Sequence, residues 1–272
     1  MTGVDVMKGT TRLRAVVVAL LAGLVSGGCH PGWEEARTLT AECEAGQAAS
    51  CGELGRRLDE GEYVLRDRSR AAGLFDVACD GGIAESCGSL GIMLEEGSGV
   101  DPDSARAAKL YQQACDGGAM RGCLRLGVLH RAGAVVPKDA DRAAALFTRA
   151  CDGGQPLSCS YLAAMHAAGE GVPRDPARAA TLFQQACDAE VMQGCAGLGT
   201  LYADGTGVAR DEARAAELFE RACDDGQGEA CMRLGNLYAA GSGVEQDYRR
   251  AASLKSQACR MGHEPACPKE ES

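Results

Sequence analysis

The chain has 272 residues, 46% of them hydrophobic but only 4% aromatic, and a net charge of −10. The length would allow one or two ordinary domains, and the acidic balance argues against a nucleic-acid binder while favouring solubility and cationic partners. Fifteen cysteines would be a liability in a reducing cytosol and read instead as a disulfide framework in an oxidising compartment.

At the N-terminus, Lys8, Arg12 and Arg14 precede an 11-residue apolar run, Ala15 to Val25, too short to span a bilayer comfortably. Met7 is an alternative start that brings the basic residues nearer the terminus. Ser26-Gly27-Gly28-Cys29 follows, and the whole resembles a bacterial lipoprotein signal, with Ser26 where that motif usually has leucine. Plain secretion and an uncleaved apolar terminus are the alternatives. The resemblance implies that Cys29 is acylated and becomes the mature N-terminus. His30, rather than aspartate, follows it, which implies sorting to the outer membrane. The expected organisation is therefore a signal peptide at 1–28, a tether at 29–42 in which Trp33 is either plain tether or an interfacial anchor near the membrane, a repeat array at 43–267 and a tail at 268–272. Loss of residues 1–28 removes Lys8, Arg12, Arg14 and Asp5, so the charge falls from −10 to −12.

The array is marked by cysteine pairs on a fixed beat: Cys43/Cys51, Cys79/Cys87, Cys115/Cys123, Cys151/Cys159, Cys187/Cys195, Cys223/Cys231 and Cys259/Cys267. The spacing is 8 within a pair and 36 between pairs. A strict period in this range predicts a stacked repeat protein with a quasi-one-dimensional core. Cutting at the first cysteine gives six units, 43–78, 79–114, 115–150, 151–186, 187–222 and 223–258, and a stub, 259–272.

Each unit predicts two helices. The first surrounds the second cysteine, with an apolar stripe such as Cys195, Leu198 and Tyr202 at helical spacing. It ends at a glycine column, Gly61, Gly97, Gly133, Gly169, Gly205 and Gly241, which suits the left-handed residue after a helix. The second begins at Asp67, Asp103, Asp139, Asp175, Asp211 or Asp247, each a good N-cap acceptor, and Pro176 suits a first helical position. It runs through an alanine pair and an apolar pair to the next cysteine. The paired cysteines then face each other across an antiparallel turn, within the roughly 5.5–6 Å that a disulfide prefers between Cα atoms. Repeat symmetry and local closure favour pairing at 8-residue spacing. In the column Phe75, Tyr111, Phe147, Phe183, Phe219, Lys255, the final charge suits a last unit that nothing covers, and Pro268 discourages further helix.

These residues resemble Sel1-like repeats. Leu198-Gly199-Thr200-Leu201-Tyr202, Gly205-Thr206-Gly207-Val208 and Ala215-Ala216-Glu217-Leu218-Phe219 carry the signature, and the cysteine pair in every unit is similar to the Helicobacter cysteine-rich protein group. The resemblance covers 43–267. It implies an all-α, TPR-like, right-handed solenoid of helix pairs with one disulfide per unit. It also implies an adaptor that holds other proteins, and an association with penicillin binding and weak β-lactamase activity.

A serine β-lactamase needs S-x-x-K. No serine here has lysine at +3, Ser253-Leu254-Lys255 has the wrong spacing, and no S-D-N or K-T-G is present. His130 and His166 share a column with Leu58, Leu94, Tyr202 and Tyr238, an apolar stripe position, and read as half-buried structural residues. Stacked repeats about 10 Å apart are too distant to share ligands at about 2 Å. The cysteine spacing is wider than zinc sites use, and the Gly-x-Gly loops follow helices rather than strands, so they are not phosphate cradles. No catalytic residue, cofactor or metal is assigned.

One column changes chemistry between units whose neighbours stay Leu and Gly: Arg56, Ile92, Val128, Ala164, Thr200 and Asn236. Arg56, Ile92, Val128, Thr200 and Asn236 are the candidate binding face. The expected function is a secreted or outer-membrane-anchored periplasmic scaffold that holds a protein or peptide in a solenoid groove. The alternatives are a β-lactamase or penicillin-binding protein acting on β-lactams or cell-wall peptides, and a heme- or metal-handling assembly factor, which would need free thiols.

Overall fold

The computed structural model describes residues 31–267. The expected signal peptide, Cys29, His30, Pro268 and the tail lie outside them. The described residues hold thirteen α-helices, a short 3-10 turn and no strand. They fall into two compact units divided after Gly81.

The first unit contains α1 (Pro31–Glu44), α2 (Ala48–Glu60) and α3 (Arg68–Asp80). The expected tether is therefore helical from Pro31 onward. The segment is rich in Glu, its one glycine, Gly32, lies in the first turn, Pro31 stands at the tolerated first position, and Ala36 is buried. Its Cys43 is bridged to Cys51 with the Cα atoms 4.7 Å apart. By position, 36 residues before α3, α1 stands where the second helix of a preceding repeat would stand.

The second unit stacks five helix pairs: α4 (Ala84–Glu96) with α5 (Ser104–Asp116), α6 (Met120–Ala132) with α7 (Ala140–Asp152), α8 (Pro156–Ala168) with α9 (Pro176–Asp188), α10 (Met192–Asp204) with α11 (Glu212–Asp224), and α12 (Gly228–Ala240) with α13 (Tyr248–Arg260). The 3-10 turn Glu264–Ala266 follows.

The local signals act as their chemistry requires. Asp67, Asp103, Asp139, Asp175, Asp211 and Asp247 each accept a hydrogen bond from the backbone N–H three residues on, at 2.9–3.0 Å. The six glycines that end the first helices sit at φ 66–75°, the left-handed region. The first helices start without a side-chain cap, at Gln47, Ile83, Ala119, Gln155, Val191 and Gln227, so no Asp, Asn, Ser or Thr marks their starts.

The core is built from small residues against single rings. A Cβ on Gly91 would lie 2.6 Å from the Tyr111 ring, one on Gly127 2.7 Å from Phe147, and one on Gly199 2.9 Å from Phe219. The missing methyls let each ring press on the backbone of the first helix, and the three rings are buried. The second glycine of the loop has a role that the sequence did not announce. On Gly171, Gly207 and Gly243, a Cβ would fall 2.2–2.3 Å from the backbone of Ala140, Pro176 and Glu212, at the start of the previous repeat's second helix. Each loop is thereby pinned to its neighbour.

Six disulfides join Cys43–Cys51, Cys115–Cys123, Cys151–Cys159, Cys187–Cys195, Cys223–Cys231 and Cys259–Cys267, with Cα separations of 4.6–4.8 Å. Cys79 and Cys87 are also disulfide-bonded. The separations are shorter than the expected 5.5–6 Å because a tight turn such as Gly117-Gly118-Ala119 sets the last turn of one helix directly beside the first turn of the next. Among the described residues, no helix is long and apolar enough to cross a membrane. At the C-terminal end, α13 buries only Ala251 and Ala258, and the stem of Lys255 lies over Gly235, in the column where Gly91, Gly127 and Gly199 carry a ring.

Candidate functional site: a cleft on the first helices

Within the second unit the variable column lies along the first helices. Ala164 on α8 and Thr200 on α10 line a cleft of about 350 Å³, while Val128 on α6 borders a smaller hollow beside it with Arg131 and Tyr161. Asn236 on α12 is exposed and Ile92 on α4 half-buried. Arg56 lies on α2 of the first unit. Its guanidinium is held by Glu53 at 2.8 Å, by Glu62 at 2.7 Å and by Glu60. The hydrogen bonds that Arg56 donates to Glu53 and then to Glu62 hold it above its ordinary pKa, and the Arg56 contact holds Glu53 below the usual carboxylate range.

The cleft exists because one unit breaks the glycine rule. Where other units have glycine under the ring, the unit at 151–186 has Ala163, and its methyl occupies that space. Phe183 lies instead against the next repeat, where a Cβ on Gly197 would be 2.4 Å from its ring. Gly197 stands in a column that holds Arg125, Tyr161 and Arg233 in neighbouring units. The ring thus reaches the floor of the cleft. Tyr161 forms one wall, stacked on buried Phe147 with centroids 5.0 Å apart. Leu157 and Ala196 complete the apolar lining. Cations stand at the two ends, Arg131 paired with Glu170 at 3.0 Å and Arg233 with Glu229 at 2.8 Å. The result is an aromatic floor between polar rims, suited to an apolar side chain of an extended segment. Phe183, Gly197 and Tyr161 were not singled out from sequence. The readable signal was Leu162-Ala163-Ala164-Met165-His166 in place of Leu-Gly-x-Leu-Tyr, together with an extra glycine 34 residues on.

The histidines do framework work. Nδ1 of His130 lies 3.2 Å from the Pro137 carbonyl and that of His166 3.4 Å from the Pro173 carbonyl, each closing the loop after its helix. In the same column Tyr202 and Tyr238 carry the guanidinium groups of Arg214 and Arg250 over their rings, at 4.7 and 4.5 Å. Among the described residues no group of three or more His, Cys, Asp or Glu could hold a metal ion. With the fourteen array cysteines in disulfides, the free thiols that metal or heme handling needs are not available from them.

The comparisons agree with this architecture. The Sel1 repeat family matches residues 48–83, 84–118, 121–155, 156–191, 193–227 and 228–263, and the chain belongs to that family. Among solved structures it is similar to c5321, a protective antigen of uropathogenic Escherichia coli strains, at 28% identity and a TM-score of 0.74 over 85% of this chain. The match spans 50% of that antigen, about half its length. A Sel1 repeat protein from Oxalobacter formigenes shares the fold at 20% identity and a TM-score of 0.73, over 88% of this chain and 98% of that one. Cysteine rich protein B of Helicobacter pylori is 27% identical over 47% of this chain and 96% of its own, with a TM-score of 0.38. No curated protein matches the chain.

Proposed function

We propose that this chain is an exported scaffold that holds a protein or peptide partner against the first helices of its second unit. The cleft floored by Phe183 carries the reading. It is a concave apolar site, made by two departures from the repeat at Ala163 and Gly197, on a surface that stacking leaves free. Sel1-repeat arrays are protein-binding frameworks, and stacked helix pairs present an extended surface suited to that task. The disulfides favour an oxidising compartment outside the cytoplasm, and likeness to a protective antigen supports the same placement. Acylation of Cys29 and outer-membrane sorting belong to this proposal. Cys29→Ser should abolish acylation, read as loss of the lipid mass from the N-terminal peptide.

The test of the cleft is Ala164→Arg with Thr200→Arg, two accessible positions whose long cations would fill it. Retention of a partner captured by the unmodified chain should fall at least about tenfold, the loss of one well-packed contact, with the melting temperature unchanged. Equal retention by the variant would place binding elsewhere.

A further inference from the structure

The first unit exposes a second surface that the cleft does not use. A hollow of about 1140 Å³ lies among α1, α2 and the loop before α3. Its apolar rim is unusually open: Trp33 is 61% exposed, Tyr63 41% and Leu65 91%. Tyr63 stands in the loop column held by Gly99, Gly171, Gly207 and Gly243 in other units, and it keeps their left-handed backbone, φ 59°. That conformation is disfavoured for a tyrosine. Its ring covers Gly32, where a Cβ would lie 2.3 Å away. An unfavourable backbone is thus retained while a ring is set beside Trp33.

Charge is segregated onto the same surface. The described first unit is acidic overall, yet four of its six arginines, Arg37, Arg66, Arg68 and Arg70, line this hollow. The other two are tied to Glu53, Glu35 and their neighbours. Arg68 meets Asp59 at 3.3 Å, Arg66 donates to the Glu60 carbonyl at 3.1 Å, and neither Arg37 nor Arg70 has a carboxylate partner among the described residues. In the second unit two equivalents of Arg70 are held by side chains of the preceding repeat, Arg142 by the Gln112 amide oxygen at 2.7 Å and Arg250 by Glu220 at 2.5 Å.

We propose that this surface docks the protein onto an anionic lipid membrane, with Trp33, Tyr63 and Leu65 at the interface and the arginines on lipid phosphates. Tryptophan and tyrosine favour the headgroup region, guanidinium groups bind phosphate in bidentate fashion, and apolar burial combined with anionic attraction is how a folded surface binds a bilayer. The described chain begins at Pro31, two residues after Cys29, so an acyl group there would hold α1 near headgroups. Docking by this surface does not depend on that group.

Trp33 is the only tryptophan, so its fluorescence reports the site alone. The full-length chain carrying Cys29→Ser is titrated with phosphatidylcholine vesicles with and without phosphatidylglycerol. Emission should shift to the blue, and be quenched by brominated lipid, with the anionic vesicles only. Arg66→Gln with Arg68→Gln should weaken partitioning by about tenfold or more, each positive charge near an anionic surface being worth roughly fivefold. Leu65→Ser should weaken it at unchanged melting temperature. Residues 15–25 are present in every variant, so their own affinity cancels. Unchanged Trp33 emission on anionic vesicles, as expected of a surface that meets a protein instead, would overturn the proposal. So would a shift indifferent to the arginine pair. Membrane binding lost with Cys29→Ser but insensitive to Arg66→Gln with Arg68→Gln would overturn it while leaving acylation intact.

Discussion

Tyr111 shows how one atom changes a framework position. Its ring fills the same place as Phe147 and Phe219, but its hydroxyl donates to Glu95 at 2.5 Å. Burial first, and then that hydrogen bond, hold the phenol well above its ordinary pKa. The unfolded chain releases this proton near pH 10, so the folded state is favoured fully below that pH. The contribution declines as pH rises from there toward the folded value. Tyr111→Phe should lose about 1 kcal/mol at neutral pH, the net worth of a hydrogen bond, and should flatten the fall in melting temperature above pH 10. An identical alkaline limb in both proteins would remove Tyr111 as its source. Ser158 makes the opposite case: its hydroxyl is buried and has no hydrogen-bond partner among the described residues. Ser158→Ala should raise stability by about 1 kcal/mol in a denaturant titration, and a loss would mean that the hydroxyl has a partner after all. Gly127→Ala should cost about 1–3 kcal/mol, because its methyl would collide with the Phe147 ring.

At the scale of the helix pair, the stack is a chain of nearest neighbours, each closed by a disulfide across its turn. Cys151→Ala with Cys159→Ala opens a nine-residue loop and should cost about 2.5 kcal/mol on the loop-entropy account. Hydrogen exchange should rise at the turn between α7 and α8 and stay low in α12 and α13, because repeats communicate only through their neighbours. Uniform acceleration would contradict that independence. Helix ends were legible because their marks are chemical: an aspartate that caps, and a glycine that turns left-handed. First-helix starts were not, since Ile83, Ala119 and Val191 cap with backbone alone. The helix at Pro31–Glu44 was hidden because it lacks the alanine and aromatic pairs of a repeat. The shift of Phe183 depends on two substitutions 34 residues apart, Ala163 and Gly197, each unremarkable alone.

For the whole molecule, period and composition made the solenoid class legible, because every unit repeats the same packing problem. The candidate face was legible only as a column that stacking leaves unfixed; where that column becomes a cleft depends on side-chain volume in the helices behind it. Arg56 shows the limit of column logic, since its own glutamates neutralise it. The central claim, a partner seated on the first helices of the second unit, is tested most directly by a photo-crosslinking amino acid placed at position 164 in the cleft and, as a control, at position 181, exposed on the second helix of the same repeat. Adducts with the partner at 164 and none at 181 are the predicted result; adducts at 181 with none at 164 would contradict it.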